Sequence, residues 1–207
     1  MEILRPKEYK LKRILDLSMI LGGFIFPLLW PFWLIVIFVV PPLIWLEDRG
    51  PIFYSQDRIG KNKKIFKVMK FRTMTPDAEK ITGAVWSKKD DPRITRIGRL
   101  LRITAIDEIP QILNIIKGEM SFVGPRAERP ELHEKFVLEI NDFDKRLEVT
   151  PGLSGLAQIK GSYDLEPKEK LKFDMEYSEK MSLFFDLKII LTSVFNSLSA
   201  RWDRPDR

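Results

Sequence analysis

Two carboxylates stand side by side at Asp107 and Glu108, inside the run Arg102-Ile-Thr-Ala-Ile-Asp-Glu-Ile-Pro-Gln111. Ile109, Ile112, Leu113 and Ile116 recur behind them at helical spacing and Gly118 follows, which predicts a helix over about 106–117. Pro110 is tolerated there because first-turn residues need no intrahelical donor. Carboxylates at a helix N-terminus feel the positive end of its dipole, which favours their ionised, nucleophilic form. The same pattern has a purely structural reading. Thr104 with Asp107 three residues later matches a capping box, and acids in a first turn are common.

The cations that could serve such a dyad are dispersed. Lys70 and Arg72 fall on one face of a strand predicted over 64–71, with Phe66 and Val68, where they could solubilise an edge or line a phosphate site. That strand pairs with a predicted strand over 52–56 around the turn Gly60-Lys61-Asn62. Arg126 ends the tight turn Gly124-Pro125-Arg126, and its planar fork suits bidentate phosphate contact. Pro151-Gly152-Leu-Ser-Gly155 is a second glycine-punctuated loop, for packing or for ligand contact. Asp90-Asp91 beside Pro92 invites a metal reading, but a turn or helix start accounts for it as well.

The composition narrows the chemistry. The chain has 207 residues, no cysteine and a single histidine, His133. Disulfides, thiolate zinc sites and cysteine nucleophiles are excluded, and a histidine-based triad is disfavoured. A metal would need oxygen ligands, which points to Mg²⁺ or Mn²⁺. Net charge is +6, from 35 Lys+Arg against 29 Asp+Glu, suited to an anionic membrane surface or phosphorylated substrates. No nucleic-acid motif accompanies it, so nucleic acid is not expected as a partner.

The elements that must position these groups begin with an uncharged run from Leu17 to Leu46, interrupted by Pro27, Pro31, Pro41 and Pro42. As a straight helix it would measure roughly 45 Å against a hydrocarbon core of about 30 Å. Pro27 and Pro31 lie near its middle and predict a break. Lys10, Lys12 and Arg13 precede the run, and Arg49, Arg58, Lys61, Lys63 and Lys64 follow it. The positive-inside rule places both flanks in the cytoplasm, so a re-entrant helix–break–helix is expected, with Trp30, Trp33 and Trp45 at headgroup depth. A buried core helix and a signal peptide fit the length poorly; a tilted single span is the serious rival.

Arginines at 93, 96, 99 and 102, interleaved with Ile94, Ile97, Leu100 and Leu101, predict a short basic amphipathic helix of interfacial type or with an ordinary solvated face. Helices are expected over 166–180 and 182–198. Leu183, Leu187, Ile190, Leu191, Val194 and Leu198 form a core stripe or a second membrane-facing surface.

The ordered set Lys12-Arg13-Ile-Leu-Asp16, Lys70-Phe-Arg72-Thr-Met74, Asp91-Pro-Arg93-Ile-Thr95, Asp107-Glu108-Ile-Pro110-Gln111, Met120-Ser-Phe-Val-Gly124-Pro125-Arg126, Pro151-Gly152 and Asp186-Leu-Lys188 spans nearly the whole chain. It resembles the bacterial sugar transferases, the monotopic phosphoglycosyl transferases. The resemblance implies a mostly helical α/β fold: a membrane hairpin over 1–48 and an interfacial catalytic domain over 49–207 at the cytoplasmic face of the bacterial inner membrane. It implies transfer of a sugar-1-phosphate from a UDP-sugar to polyprenyl (undecaprenyl) phosphate, with UMP released and Mg²⁺ required. Asp107 would be the nucleophile and Glu108 its partner, as metal ligand or base. Lys70, Arg72 and Arg126 would meet substrate phosphates, and Arg102 would tie the dyad to the hairpin break. Membrane lipids are implied partners, and a homodimer is compatible with the sequence. Two features depart from the family pattern: Ile-Phe-Pro27-Leu-Leu-Trp-Pro31 replaces a Ser-Pro break, and Gly161-Ser162-Tyr163 replaces Gly-Arg-Asn. Set beside larger relatives with a multi-span N-terminal extension, the sequence is expected to correspond to a bare catalytic domain. A non-enzymatic scaffold that binds anionic lipid is the alternative from a different class.

Overall fold

The computed structural model describes residues 8–78, 91–161 and 165–199. The chain is mostly helical. It opens with α1 (Lys12–Ile25), a 3₁₀ turn over Pro27–Leu29, α2 (Trp30–Leu34), a π turn over Ile35–Val39 and α3 (Val40–Asp48). The break falls at Phe26, whose ψ of 112° leaves the helical region. Proline disfavours the α conformation in the residue before it, so Pro27 dictates that kink. Pro31 sits in the first turn of α2 and causes no second break. Pro41 and Pro42 cannot donate back to the preceding turn, and the helix widens there into the π geometry.

Helix α1 ends with carbonyls that have lost their donors. Trp33 Nε1 donates to Gly23 O at 2.7 Å and Trp30 Nε1 to Phe24 O at 3.1 Å. The Trp33 ring also stacks on Phe24 at 4.4 Å. Two of the three tryptophans expected at headgroup depth therefore staple the break. Trp45 lies instead beneath the Arg49 guanidinium, 4.4 Å from its ring centroid.

Both ends of this hairpin pack on one body. From α1, buried Lys12 donates to Asp186 at 2.7 Å, to Tyr177 at 2.8 Å and to Val123 O at 2.7 Å. Asp16 accepts from Ser121 Oγ at 2.9 Å and Phe122 N at 3.0 Å. From the other end, Val36, Val40 and Ile44 join Phe71 and Leu101 in one apolar cluster. Between the two ends the surface is apolar and bare; Leu28 is 89% exposed.

Strands β1 (Phe53–Ile59) and β2 (Ile65–Phe71) pair antiparallel, with Tyr54 opposite Lys70. This is the expected hairpin, its first strand starting one residue later and ending three residues further on. Helix α4 (Arg96–Thr104) starts at Thr95, whose Oγ1 accepts from Gly98 N at 2.9 Å. The Glu47 carboxylate caps it a second time, accepting from Arg96 N at 2.6 Å and Ile97 N at 3.2 Å. Of the apolar residues on α4, Leu101 enters the core and Leu100 remains exposed.

The helix expected over 106–117 divides into a 3₁₀ turn, Ile106–Gln111, and α5 (Ile112–Lys117). The capping box is absent: Thr104 lies in the last turn of α4 and donates to Leu100 O and Leu101 O. Ala105, in the left-handed conformation at φ 57°, separates the two elements. Arg13 reaches back to the C-terminus of α5, donating to Ile116 O at 2.6 Å and also to Ile115 O.

The remainder comprises β3 (Ser121–Val123), α6 (Pro130–Glu139), a 3₁₀ turn over Phe143–Glu148, β4 (Gly152–Ser154), α7 (Leu156–Lys160), α8 (Pro167–Lys180) and α9 (Leu183–Leu198). Strands β3 and β4 run parallel, which the sequence reading treated only as loops. A Cβ at Gly124 would lie 2.2 Å from Thr150 O, and one at Gly152 2.0 Å from Gly124 N; the close approach requires both glycines. The C-terminal helices match the expected bounds, but the α9 stripe is not a core stripe. Leu191, Val194 and Leu198 are exposed, while Asp186, Ile189 and Asn196 face inward. Asp186 is drawn in by Lys12, a preference that apolar periodicity cannot reveal.

Candidate active site

The Ile106–Gln111 turn lies between β2 and α4. Ile106 and Ile109 anchor it to the apolar cluster that also holds Phe71 and Leu101. This tether fixes Asp107 and Glu108 opposite Lys70 of β2. Arg126 closes from the other side, at the end of the turn that leaves β3.

The two carboxylates are not equivalent. Glu108 accepts from Lys70 Nζ and from Arg126 Nη2, the latter at 2.6 Å. Asp107, 7% exposed, carries no hydrogen bond among the described residues. Burial pushes the Asp107 carboxyl up to about 6, against the pull of Lys70 and with the charge of Glu108 adding to the rise. Burial acts on Glu108 in the same direction, but Arg126 and Lys70 outweigh it and hold that carboxyl far below its ordinary value. The sequence reading expected a helix dipole to ionise both. The α-helix begins only at Ile112, so the charges of Lys70 and Arg126 do the sorting instead.

Other expected site residues divide by position. Lys70 and Arg126 meet at Glu108. Arg102 stands near, its Nε donating to Thr73 Oγ1 at 2.9 Å and its charge lowering the Asp107 carboxyl. Arg72 points elsewhere. Its Nη1 and Nη2 each meet an Asp48 carboxylate oxygen at 2.5 Å, and it also donates to Pro51 O. It clamps the end of α3 to β2, a bidentate pairing that fixes the returning arm of the hairpin. Pro27 and Pro31 lie at the break, far from this clamp in the chain. Asp91 forms a turn with Arg93, whose side-chain hydrogen bonds hold that carboxyl down to about 2. Asp90 and Ser162-Tyr163-Asp164 lie outside the described residues.

Sequence reasoning missed three contributors. Arg146, paired with Asp174 at 2.7 Å, donates to Arg126 O at 2.9 Å and so fixes the turn that presents Arg126. Arg58 donates to Ala127 O at 3.0 Å beside the same turn. Gln111 is 3% exposed and lines a cleft with Arg58, Lys70 and Arg126. Only Gln111 had a local signal. In a 3₁₀ turn residues three apart eclipse, which puts it on the edge that carries Glu108.

Residues 7–200 match the family of bacterial sugar transferases. The chain belongs to that family. This sugar transferase is 46% identical over 158 residues to the Bacillus subtilis (strain 168) protein named "Putative undecaprenyl-phosphate N-acetylgalactosaminyl 1-phosphate transferase", which covers 76% of the chain and 80% of that protein. It is 37% identical over 200 residues to "Exopolysaccharide production protein PSS" of Rhizobium leguminosarum bv. phaseoli, with 91% of the chain and 96% of that protein covered. "Undecaprenyl-phosphate glucose phosphotransferase" of Komagataeibacter xylinus is 38% identical over 170 residues. There the alignment covers 76% of the chain but 31% of the relative, so the sugar transferase spans under a third of that protein.

Proposed function

We propose that this chain transfers a sugar-1-phosphate from a UDP-sugar to undecaprenyl phosphate, through a covalent intermediate on Asp107. The observation that carries the reading is the split dyad: Glu108 bound by two cations, beside a buried Asp107 that carries no hydrogen bond among the described residues. A carboxylate whose pKa lies near 6 is ionised at neutral pH, and with no hydrogen bond to hold it, it can attack.

Asp107 would attack the phosphorus next to the sugar. The bond from that phosphorus to the bridging oxygen breaks, and its electron pair leaves with UMP. An oxygen of undecaprenyl phosphate then attacks the same phosphorus and frees the Asp107 carboxylate, giving the lipid-diphosphate-sugar. Lys70 and Arg126, already converging on Glu108, would share their charge with the phosphates as these enter. Glu108 keeps those cations aimed at the reacting phosphoryl group.

A divalent cation fits the donor set. Among the described residues no three metal-ligating side chains cluster. Mg²⁺ is commonly held by one or two carboxylates plus substrate phosphates, which Asp107, Glu108 and a diphosphate can supply together. Bound there, it would neutralise charge on the diphosphate and on departing UMP.

The membrane placement rests on the hairpin. Pro27–Asp48 is long and apolar enough to cross a bilayer. Yet Lys12 at one end and Asp48 at the other are both clamped to one body. A re-entrant loop dipping into the cytoplasmic leaflet satisfies both facts, with the dyad near the headgroups where the lipid phosphate lies.

A panel of UDP-sugars, assayed with undecaprenyl phosphate and Mg²⁺, tests the reading. At least one should yield UMP, and EDTA should silence it. No UMP from any donor would overturn the reaction, and full activity after chelation would remove the metal.

A further inference from the structure

Three cations converge on the cleft beside the dyad. Arg58, Lys70 and Arg126 line it, together with Gln111, Val68 and Met120. Glu108 is held by two of these cations, Lys70 and Arg126. The third, Arg58, spends its guanidinium on neutral acceptors, Ala127 O at 3.0 Å and Gln56 Oε1 at 2.7 Å. Glu128, the next carboxylate, stands 3.7 Å from the buried Arg146. Burial, with the like charge of Arg126 beside it, pulls Arg58 down to about 10, against the opposing charges of Glu128 and Glu108.

The second observation is independent of charge. Gln111, 3% exposed, has a side-chain Nε2 buried without a hydrogen-bond partner. A buried donor left unsatisfied costs roughly 1–3 kcal/mol, and native structures seldom tolerate one without use. Here the 3₁₀ turn aligns Gln111 with Glu108, and Gln111 lines the cleft together with Arg58, Lys70 and Arg126. An unpaired donor beside three cations is complementary to a compact anion rich in acceptor oxygens.

We infer that this cleft seats a substrate phosphate that is not the reacting one, with Gln111 Nε2 and the Arg58 guanidinium as its binding groups alongside Lys70 and Arg126. The inference rests on the sugar-phosphate transfer reading and extends it. The shared chemistry is a phosphate monoester, supplied either by the nucleotide that leaves as UMP or by the lipid acceptor. Seating that group would place the diphosphate so that its sugar-proximal phosphorus faces Asp107. Gln111 and Arg58 would therefore set substrate affinity more than the chemical step.

The test uses the full chain in lipid nanodiscs. UMP and inorganic phosphate at millimolar concentration should each raise the melting temperature of the unsubstituted protein, and uridine should not. No stabilisation by either anion would overturn the site, whatever the variants do. Gln111→Met keeps the length and removes the donor, and Gln111→Glu reverses the sign. Gln111→Met should weaken UMP inhibition about tenfold, with Gln111→Glu worse and kcat little changed. Arg58→Lys should show the same KM-against-kcat split, more mildly. A raised KM for the UDP-sugar assigns the nucleotide phosphate, and a raised KM for undecaprenyl phosphate assigns the lipid one. Neither KM nor UMP inhibition changing in folded Gln111→Met and Arg58→Lys would contradict the assignment. If no UDP-sugar yields UMP, the reaction is wrong, and the phosphate-dependent melting shift still tests the cleft.

Discussion

Asp107 and Glu108 are adjacent in the chain and opposite in state. Glu108 meets Lys70 from 38 residues upstream and Arg126 from 18 downstream, and Asp107 meets neither as a hydrogen-bond donor. The dyad was legible as a motif, but its asymmetry was not, since it depends on two cations placed by tertiary packing. It carries a consequence for stability. A carboxyl whose folded pKa is raised contributes stability while protonated and loses it as pH rises through that value. For Asp107 the loss falls between about pH 4 and pH 6 and persists above. Asp107→Asn should therefore be more stable than the unsubstituted protein at pH 8, by about 1–3 kcal/mol, with the difference shrinking toward pH 4. Equal melting temperatures at both pH values would contradict the buried, unpaired state. In the same window kcat/KM should rise with pH toward a plateau above about 6, as Asp107 ionises. A profile flat from pH 5 to 8 would contradict that assignment.

Element by element, legibility followed how local the cause was. The β1–β2 turn and the bounds of α8 and α9 are set by neighbours in sequence, and the sequence pattern shows them. Strands β3 and β4 escaped it because each is three residues long and pairs across a long separation. The hairpin break was foreseen at the prolines, but not the groups that stabilise it. Indole N–H groups satisfy Gly23 O and Phe24 O, where an unpaired carbonyl in lipid would cost several kcal/mol. Trp33→Phe preserves the stacking on Phe24 and deletes the donor. It should lower stability by about 1–2 kcal/mol, read as melting temperature in nanodiscs, and Trp30→Phe should cost less because its bond is longer and more exposed. Indistinguishable melting of Trp33→Phe and the unsubstituted chain would remove the staple from the account.

The molecule as a whole is a hairpin gripped at both ends by the domain that carries the dyad. Lys12 with Asp186 closes one grip; Arg72 with Asp48 and Glu47 with the α4 N-terminus close the other. Lys12, Asp16 and Asp186 belong to the motif set, but their role in joining first helix to last appears only once the chain is folded. The absence of cysteine makes the topology directly measurable. Lys10→Cys and Arg49→Cys should both react with an impermeant maleimide from the cytoplasmic side of sealed vesicles, while Leu28→Cys stays protected in the lipid. Labelling of positions 10 and 49 from opposite faces would establish a single span and break the account of how the dyad reaches the bilayer.

The central claim is that Asp107 becomes covalently phosphorylated before the lipid acceptor is used. The protein should be incubated with a UDP-sugar labelled in the sugar-proximal phosphate, without undecaprenyl phosphate. The account predicts one turnover of UMP release and label retained on the chain. Hydroxylamine should remove that label as it does from an acyl phosphate, and Asp107→Asn should abolish both signals while its fold is kept. UMP release only in the presence of the acceptor, or label retained by Asp107→Asn, would contradict it.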